Sequence, residues 1–297
     1  MQKILMLGAS DAQTVAIERA IEMGLTVFTA DNRPDNPGHR LAHAAYNVST
    51  TDSGGILRLA EELEVDGVLS YASDPGALTA AIVSEALGLA GDPKAAVEVA
   101  QDKLKFRTQQ SRLKHPHPEF ADADDASSLE EVYRNAHEGL VVKPTDRCGS
   151  AGLHIFDHRP DRASLKQAVE AARNVSFCKK VIVEARVQRT GLQFGGDYIF
   201  HQGRLCFASH ADQYQFRTAT TEAGIGNLVP SGHSEKVLSE ATEQVVQLVE
   251  TLGLGTGIYN TDVIVSAGQV YVLDFGARLG GNMLGEVHRL ATGVDYT

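Results

Sequence analysis

Two aspartates and an arginine near the end of the chain have the types and spacing that chemistry on phosphate would use. The stretch YVLDFGARLGGN, 271–282, carries an apolar run into Asp274 and then sets Arg278 between glycines. Upstream, IYNTDVIV carries Asp262. The turn-forming Ser266-Ala267-Gly268-Gln269 separates the two apolar segments, which predicts an antiparallel hairpin. Asp262 and Asp274 each lie six residues from Gly268. A loop centred on that glycine sets the carboxylates opposite each other on one face, with Cβ atoms roughly 5 Å apart; a two-residue loop sends them to opposite faces. Facing carboxylates repel, so they call for a shared proton or a divalent cation, and hard oxygen ligands suit Mg2+ with phosphate completing the shell. Arg278 adds a rigid fork for a phosphoryl group or a carboxylate.

A second group lies in the middle of the chain. In GLVVKPTDRCGSAGLHIF, 139–156, an apolar strand delivers Lys143, a glycine-containing loop follows, and a second apolar strand begins. Loop glycines let backbone N–H groups approach phosphate oxygens, and an amine reaching in from a strand neutralises their charge. Farther on, KKVIVEARV reads as a buried strand that reaches Glu184 and continues to Val187. A free edge there offers a backbone N–H and C=O to a purine, with the acid accepting from an exocyclic amine.

These groups need a scaffold, and the first hundred residues show its style. Short apolar or β-prone runs at 4–7, 25–30, 46–48 and 68–70 alternate with AQTVAIERAIEMG and GGILRLAEELEVDG, whose apolar positions recur at helical spacing. That is a βαβ pattern with a parallel sheet. Asp31 follows the second run, where a dinucleotide-binding domain often carries its ribose acid, and an oxidoreductase reading would rest on this region alone. The turn LGASDAQ lacks the three glycines of GxGxxG, so the domain reads as Rossmann-like without a nucleotide site. Near residue 100 the character changes: the helical stretch PKAAVEVAQDKLKFRTQQ leads to His115-Pro116-His117-Pro118 and then to the acidic loop and helix start ADADDASSLEEV.

Composition excludes some classes. The 38 acids against 27 bases give a formal charge of −11, which argues against a broad basic face for nucleic acid. No run approaches the 18 apolar residues or so that a membrane span needs. Cys148, Cys178 and Cys206 show neither a disulfide framework nor zinc spacing, and a reducing cytoplasm is the expected compartment.

Taken in order, these segments resemble the ATP-grasp ligases, in particular the branch similar to carbamoyl phosphate synthase and biotin carboxylase. LGASDAQ and DNRPDNPGH look like the family's N-terminal domain; QDKLKFR, VVKPTDRCGSAG, VIVEARV, NTDVIV and LDFGARLGG look like its nucleotide-site segments. The resemblance implies an α/β chain: a Rossmann-like parallel-sheet domain at 1–95, followed by a two-lobed α+β ATP-grasp domain, with the small lobe at 96–185 and the large lobe at 186–297. It implies ATP and Mg2+ as cofactors. Lys103 and Lys143 would contact ATP phosphates, and the loop of Cys148, Gly149, Ser150 and Gly152 would cover them. Glu184 and the backbone of Ala185 to Val187 would hold adenine, and Gln193 stands in for the ribose acid. Asp262 and Asp274 would bind Mg2+, and Arg278 would stabilise the transferring phosphoryl group or an acyl phosphate.

Gly276 departs from the pattern, since the family commonly has an asparagine metal ligand there. The implied partners are a small-molecule carboxylate and an amine, with bicarbonate as a variant, no nucleic acid or membrane, and allowance for a homo-oligomer. Gly276, and an end at Asp295-Tyr296-Thr297 short of similar ligases, also leave room for a nucleotide-binding module without ligase activity, or for an acceptor pocket completed by another chain. His210, Arg217 and TATTEAGIGNLVPSG, 218–232, are the substrate-side candidates.

Overall fold

The computed structural model describes residues 1–218, 222–281 and 283–297. Its first unit strings β1 (Lys3–Leu7), α1 (Asp11–Glu22), β2 (Thr26–Ala30), β3 (Ala44–Tyr46), α2 (Ser53–Leu63), β4 (Gly67–Leu69) and α3 (Asp74–Leu87) into a parallel sheet of order β3-β2-β1-β4. The alternation of β1 explains the layering. Leu5 and Leu7 join the core formed with α2 and Val83 of α3, while Met6 points the other way onto Ala16, Ile17 and Ala20 of α1. Both faces are covered, as the βαβ pattern requires.

Helices α4 (Lys94–Gln101) and α5 (Lys103–Leu113) follow, broken from each other at Asp102, whose carboxylate caps α5 by accepting from the amides of Leu104 and Lys105. The stretch predicted as one helical segment is therefore two. The second sheet comprises β5 (Phe120–Asp122), β6 (Leu140–Pro144), β7 (His154–Phe156) and β8 (Val181–Ala185), in the order β5-β8-β6-β7 and antiparallel throughout. α6 (Ala126–Asn135) and α7 (Arg162–Val175) supply Val132, Leu165, Ala168 and Ala172 to its core.

The third sheet is the largest: β9 (Gln193–His201), β10 (Arg204–Arg217), β11 (Glu222–Leu228), β12 (Gly257–Ser266) and β13 (Gln269–Gly276), ordered β11-β10-β9-β12-β13. α8 (Glu235–Leu252) packs Val245, Leu248 and Val249 against Phe194, Tyr198, Val263 and Val272, and α9 (Leu284–Thr292) closes the chain. Ala96, Ala100 and Phe106 join this same core, so α4 and the start of α5 pack on the third sheet.

The hairpin of β12 and β13 settles the question of the two aspartates by an unexpected route. Ser266 pairs with Gln269, so the turn is the two-residue Ala267-Gly268, with φ of 48° and 81°, the left-handed backbone that tight hairpins demand. That loop alone would put Asp262 and Asp274 on opposite faces. However, Val263 pairs with Val272 while Asp262 pairs with Asp274, which leaves Leu273 as the extra residue of a β-bulge. The bulge restores the facing pair that a loop centred on Gly268 would have given.

Candidate active site

The faced aspartates lie in a cleft where helix α5 and two sheets converge. Lys103, the first residue of α5, sends its Nζ to 3.7 Å from Asp274 Oδ2 and donates to the carbonyl of Arg147 in the glycine loop (2.9 Å). One turn along the helix, Arg107 is fully buried; its Nε donates to Glu184 Oε1 (2.8 Å) and its Nη2 to the carbonyl of Leu273, the bulge residue (2.8 Å). Lys143 on β6 donates to the other oxygen, Glu184 Oε2, at 2.8 Å. Glu184 is thus clamped between two cations. Burial works against its ionisation, but Arg107 and then Lys143 overcome this and hold its pKa at about 2. Burial pushes Lys143 down, helped by the neighbouring Arg107 and Lys103, so this ammonium gains from any anion that reaches it.

The acid pair is unequal. Burial first, then the charge of Asp274, pushes the Asp262 carboxyl up. Burial would raise Asp274 too, but Lys103, followed by Lys143, Arg107 and Arg278, holds it below the ordinary range. Gln213 Nε2 donates to Asp262 Oδ1 (2.8 Å), and Gln193 Nε2 donates to Gln213 Oε1 (2.6 Å). Two opposed carboxylates are hard-oxygen donors of the kind Mg2+ takes, and burial together with the charge of Asp274 disfavours ionising both without a cation. Gly276 adds no side-chain donor, and among the described residues no cluster of three or more His, Cys, Asp or Glu is arranged to hold a metal.

The loop after Lys143 has left-handed backbone, with φ of 61° at Gly149, 59° at Ser150 and 74° at Gly152, and Cys148 is exposed. Ser150 Oγ donates to the carbonyl of Glu222 on β11 (2.7 Å), which docks the loop tip on the third sheet. At the expected adenine edge β8 ends at Ala185, short of the predicted Val187. The Ala185 amide already donates to Glu119 (2.8 Å) and that of Arg186 to Gly139 (3.0 Å), so two of the three backbone donors expected there are committed within the fold.

Arg278 departs most from the sequence-based expectation of a fork held only by glycines. Its Nε and Nη2 donate to the two oxygens of Asp74 at 2.8 Å each, and its Nη1 donates to Asn260 Oδ1 and the Leu279 carbonyl at 3.1 Å each. Asp74 opens α3 in the first unit, so the arginine ties two parts of the chain together. Behind it, Asp197 is fully buried and accepts from the Gly280 amide (2.7 Å), Asn260 Nδ2 (2.8 Å) and the Tyr296 hydroxyl (3.2 Å). A Cβ on Gly280 would stand 2.8 Å from Asp197 Oδ1 and 2.7 Å from Asn260 Nδ2, so glycine is needed there for close approach.

Of the substrate-side candidates, His210 is packed against Tyr198 and Thr242. Burial, then His288, lowers its pKa to about 4. Arg217 pairs with Asp157 at 2.5 Å, across to the second sheet's unit. Residues 219–221 of the third candidate, TATTEAGIGNLVPSG, lie outside the described residues. Sequence reasoning missed Asp74, Arg107, Asp197 and Gln213. Only Arg107 had a local signal, its place one helical turn after Lys103 on the same face.

Residues 100–282, more than half of the chain and including Lys103, Arg107, Lys143, Glu184, Asp262, Asp274 and Arg278, match the family described as the ATP-grasp domain. The chain belongs to the ATP-grasp family. It is similar to the formate-dependent phosphoribosylglycinamide formyltransferase of Saccharolobus solfataricus, 24% identical over 276 residues that cover 91% of this chain and 68% of that one. An L-amino acid ligase from Bacillus licheniformis superposes with a TM-score of 0.81 at 23% identity, covering 100% of this chain and 72% of that one. The biotin carboxylase domain of 2-oxoglutarate carboxylase from Hydrogenobacter thermophilus, solved with MgADP, ADP and bicarbonate, gives 0.83 at 15% identity, covering 99% and 67%. Both structures share the ATP-grasp fold of this chain. Among the described residues no helix is long and apolar enough to cross a membrane.

Proposed function

We propose that this ATP-grasp protein uses ATP to convert a small carboxylate into an acyl phosphate, which an amine then attacks. The observation that carries the reading is the facing pair Asp262 and Asp274, set by the bulge, with Lys103 at its side and Lys143 and Arg278 close enough to bias its ionisation. Asp262 and Asp274 would hold Mg2+, whose chemistry is to neutralise charge on the phosphates.

The residues divide the remaining work. Lys103 and Lys143 bind the nucleotide phosphates, Lys143 exchanging part of its bond to Glu184 for an anion, and the loop of Cys148, Gly149, Ser150 and Gly152 covers them. Glu184 and the backbone at Val187 face the adenine, with the Ala185 and Arg186 amides already committed, and Gln193 meets the ribose. Arg278 steadies the phosphoryl group as it moves. In the first step a carboxylate oxygen forms a bond to the γ-phosphorus and the bond to ADP breaks. In the second the amine nitrogen bonds to the acyl carbon, inorganic phosphate departs with its oxygen, and the nitrogen loses a proton.

A phosphate-release screen with Mg·ATP, over carboxylates that include formate, bicarbonate and amino acids, paired with amines, tests this reading. Release that depends on one carboxylate and one amine is expected. Calorimetry showing no binding of ADP or ATP would sink it.

A further inference from the structure

We propose that Arg107 is a positioning residue which sets the metal-binding face of the site from the nucleotide side. The inference rests on the reading of Asp262 and Asp274 given above, and it assigns Arg107 a role that no direct contact with nucleotide would reveal.

The geometry is specific. Arg107 is fully buried, and three arms of its guanidinium go to three places: Glu184 on β8, Gln110 Oε1 one turn along α5 (2.7 Å), and the Leu273 carbonyl on β13. Gln110, itself fully buried, donates Nε2 to the carbonyl of Val272 (2.8 Å). On β13 the register shifts between Val272 and Asp274, with Leu273 the extra residue. β13 lies at the edge of its sheet, paired with β12 on one side; beyond that pairing, α5 holds the Val272 and Leu273 carbonyls near the bulge and Gln244 of α8 donates to the carbonyl of Val270 (3.0 Å) farther from it. With a two-residue turn, a hairpin that lost its bulge would turn Asp274 away from Asp262, because one residue of slip reverses every side chain. The same guanidinium neutralises Glu184, so the acid facing the adenine and the acid facing the metal are oriented by one side chain.

The test compares wild type with Arg107→Lys, which keeps a cation for Glu184 but has no planar fork to reach Leu273 as well. Hydrogen exchange on the nucleotide-free chain should show protection of the amides at 273–276 lost in the variant while β8 stays protected. By calorimetry, its ADP affinity without metal should stay close to wild type, and the gain in ADP affinity on adding Mg2+ should shrink about tenfold or more, as for groups that orient metal ligands. Unchanged exchange on β13 would overturn the proposal. So would a loss of metal-free affinity as large as the loss of the Mg2+-linked gain, since Arg107 would then serve Glu184 alone. If Arg107→Lys does not fold, Gln110→Leu removes the bonds of Gln110 to Val272 and to Arg107 Nη1, leaves Arg107 its partners Glu184 and Leu273, and must give the same exchange pattern. A wild-type chain that binds no ADP would end the reading of the site, and the exchange comparison, which needs no nucleotide, would still decide the role of Arg107.

Discussion

Asp31 and Asp274 both come where a sheet strand is ending, and both invite a functional reading, but their surroundings differ. Asp31 is 9% exposed, and its two oxygens accept from the Ala9 amide (3.1 Å), the Arg33 amide (2.9 Å) and Asn36 Nδ2 (2.8 Å). Its bonding capacity is spent on pinning the loops above the parallel sheet. Asp274 keeps 41% of its side chain open to the cleft, and its hydrogen bond is to the neighbouring Phe275 amide (3.2 Å). It is surrounded by cations it does not touch closely, the nearest being Lys103 at 3.7 Å. An acid saturated by its own loop stabilises; an acid held ionised with oxygens to spare is available to a ligand.

The largest consequence falls on the open acid. Asp274→Asn should cost roughly 100-fold in metal-dependent ADP formation, equivalent to about 2.7 kcal/mol, while leaving the melting temperature near that of wild type. A magnesium titration in which the variant reaches full rate would erase the distinction between the two aspartates.

The saturated acid should behave in the reverse way. Asp31→Ala leaves the buried Ala9 amide and the Asn36 amide group without their acceptor, a loss of about 2 kcal/mol in unfolding free energy by denaturant titration. Its ADP affinity should not change. Weaker ADP binding in a folded Asp31→Ala protein would mean that the first unit belongs to the nucleotide site after all.

How much of this was legible beforehand depends on the range of the interactions concerned. The parallel sheet could be read because alternation in β1 and the helical spacing of α1 and α2 are local signals. The site segments could be read because Lys143, Glu184, Asp262 and Asp274 each sit on a short apolar strand. The two-residue turn at Ala267-Gly268 is one of the two loops the sequence allows, the one that would separate the acids, and only the bulge keeps them face to face. Nothing local announces that bulge, since the groups that hold its carbonyls, Arg107 and Gln110, are more than 160 positions away. The same holds for Arg278, whose partner Asp74 is 204 positions away.

That arginine gives the next test. Arg278 and Asp74 are 17% and 25% exposed and share two bonds, so the pair is intermediate between the two aspartates: partly spent on structure, partly within reach of the cleft. A double-mutant cycle of Asp74→Ala and Arg278→Ala should return a coupling of about 1 kcal/mol in stability. Arg278→Ala alone should also lose most substrate-dependent ADP formation, because stabilising a moving phosphoryl group is a separate demand. Full coupling with no loss of turnover would confine Arg278 to the structural role.

The smallest effect concerns a group that the first comparison leaves out, a buried base. His210 packs between Phe194 and Tyr198 on the third sheet, and burial, with a lesser contribution from His288, lowers its pKa from the ordinary 6.5 to about 4. The folded-state pKa lies below the unfolded one, so between these values the unfolded chain binds a proton that the folded chain refuses. The stability associated with neutral His210 is therefore complete above pH 6.5 and is lost as pH falls from there toward 4. Between pH 7 and pH 6 nearly all the proton uptake is on the unfolded side, which makes the expected loss, about 0.7 kcal/mol, insensitive to where the folded value lies below 5. Carboxylates at ordinary pKa values stay ionised over that interval. Urea midpoints at pH 7 and pH 6 for wild type and His210→Gln measure the difference directly. The wild-type midpoint should drop more than the variant's, by an amount matching that loss, and equal drops would mean that His210 takes up its proton as readily in the folded chain as in the unfolded one.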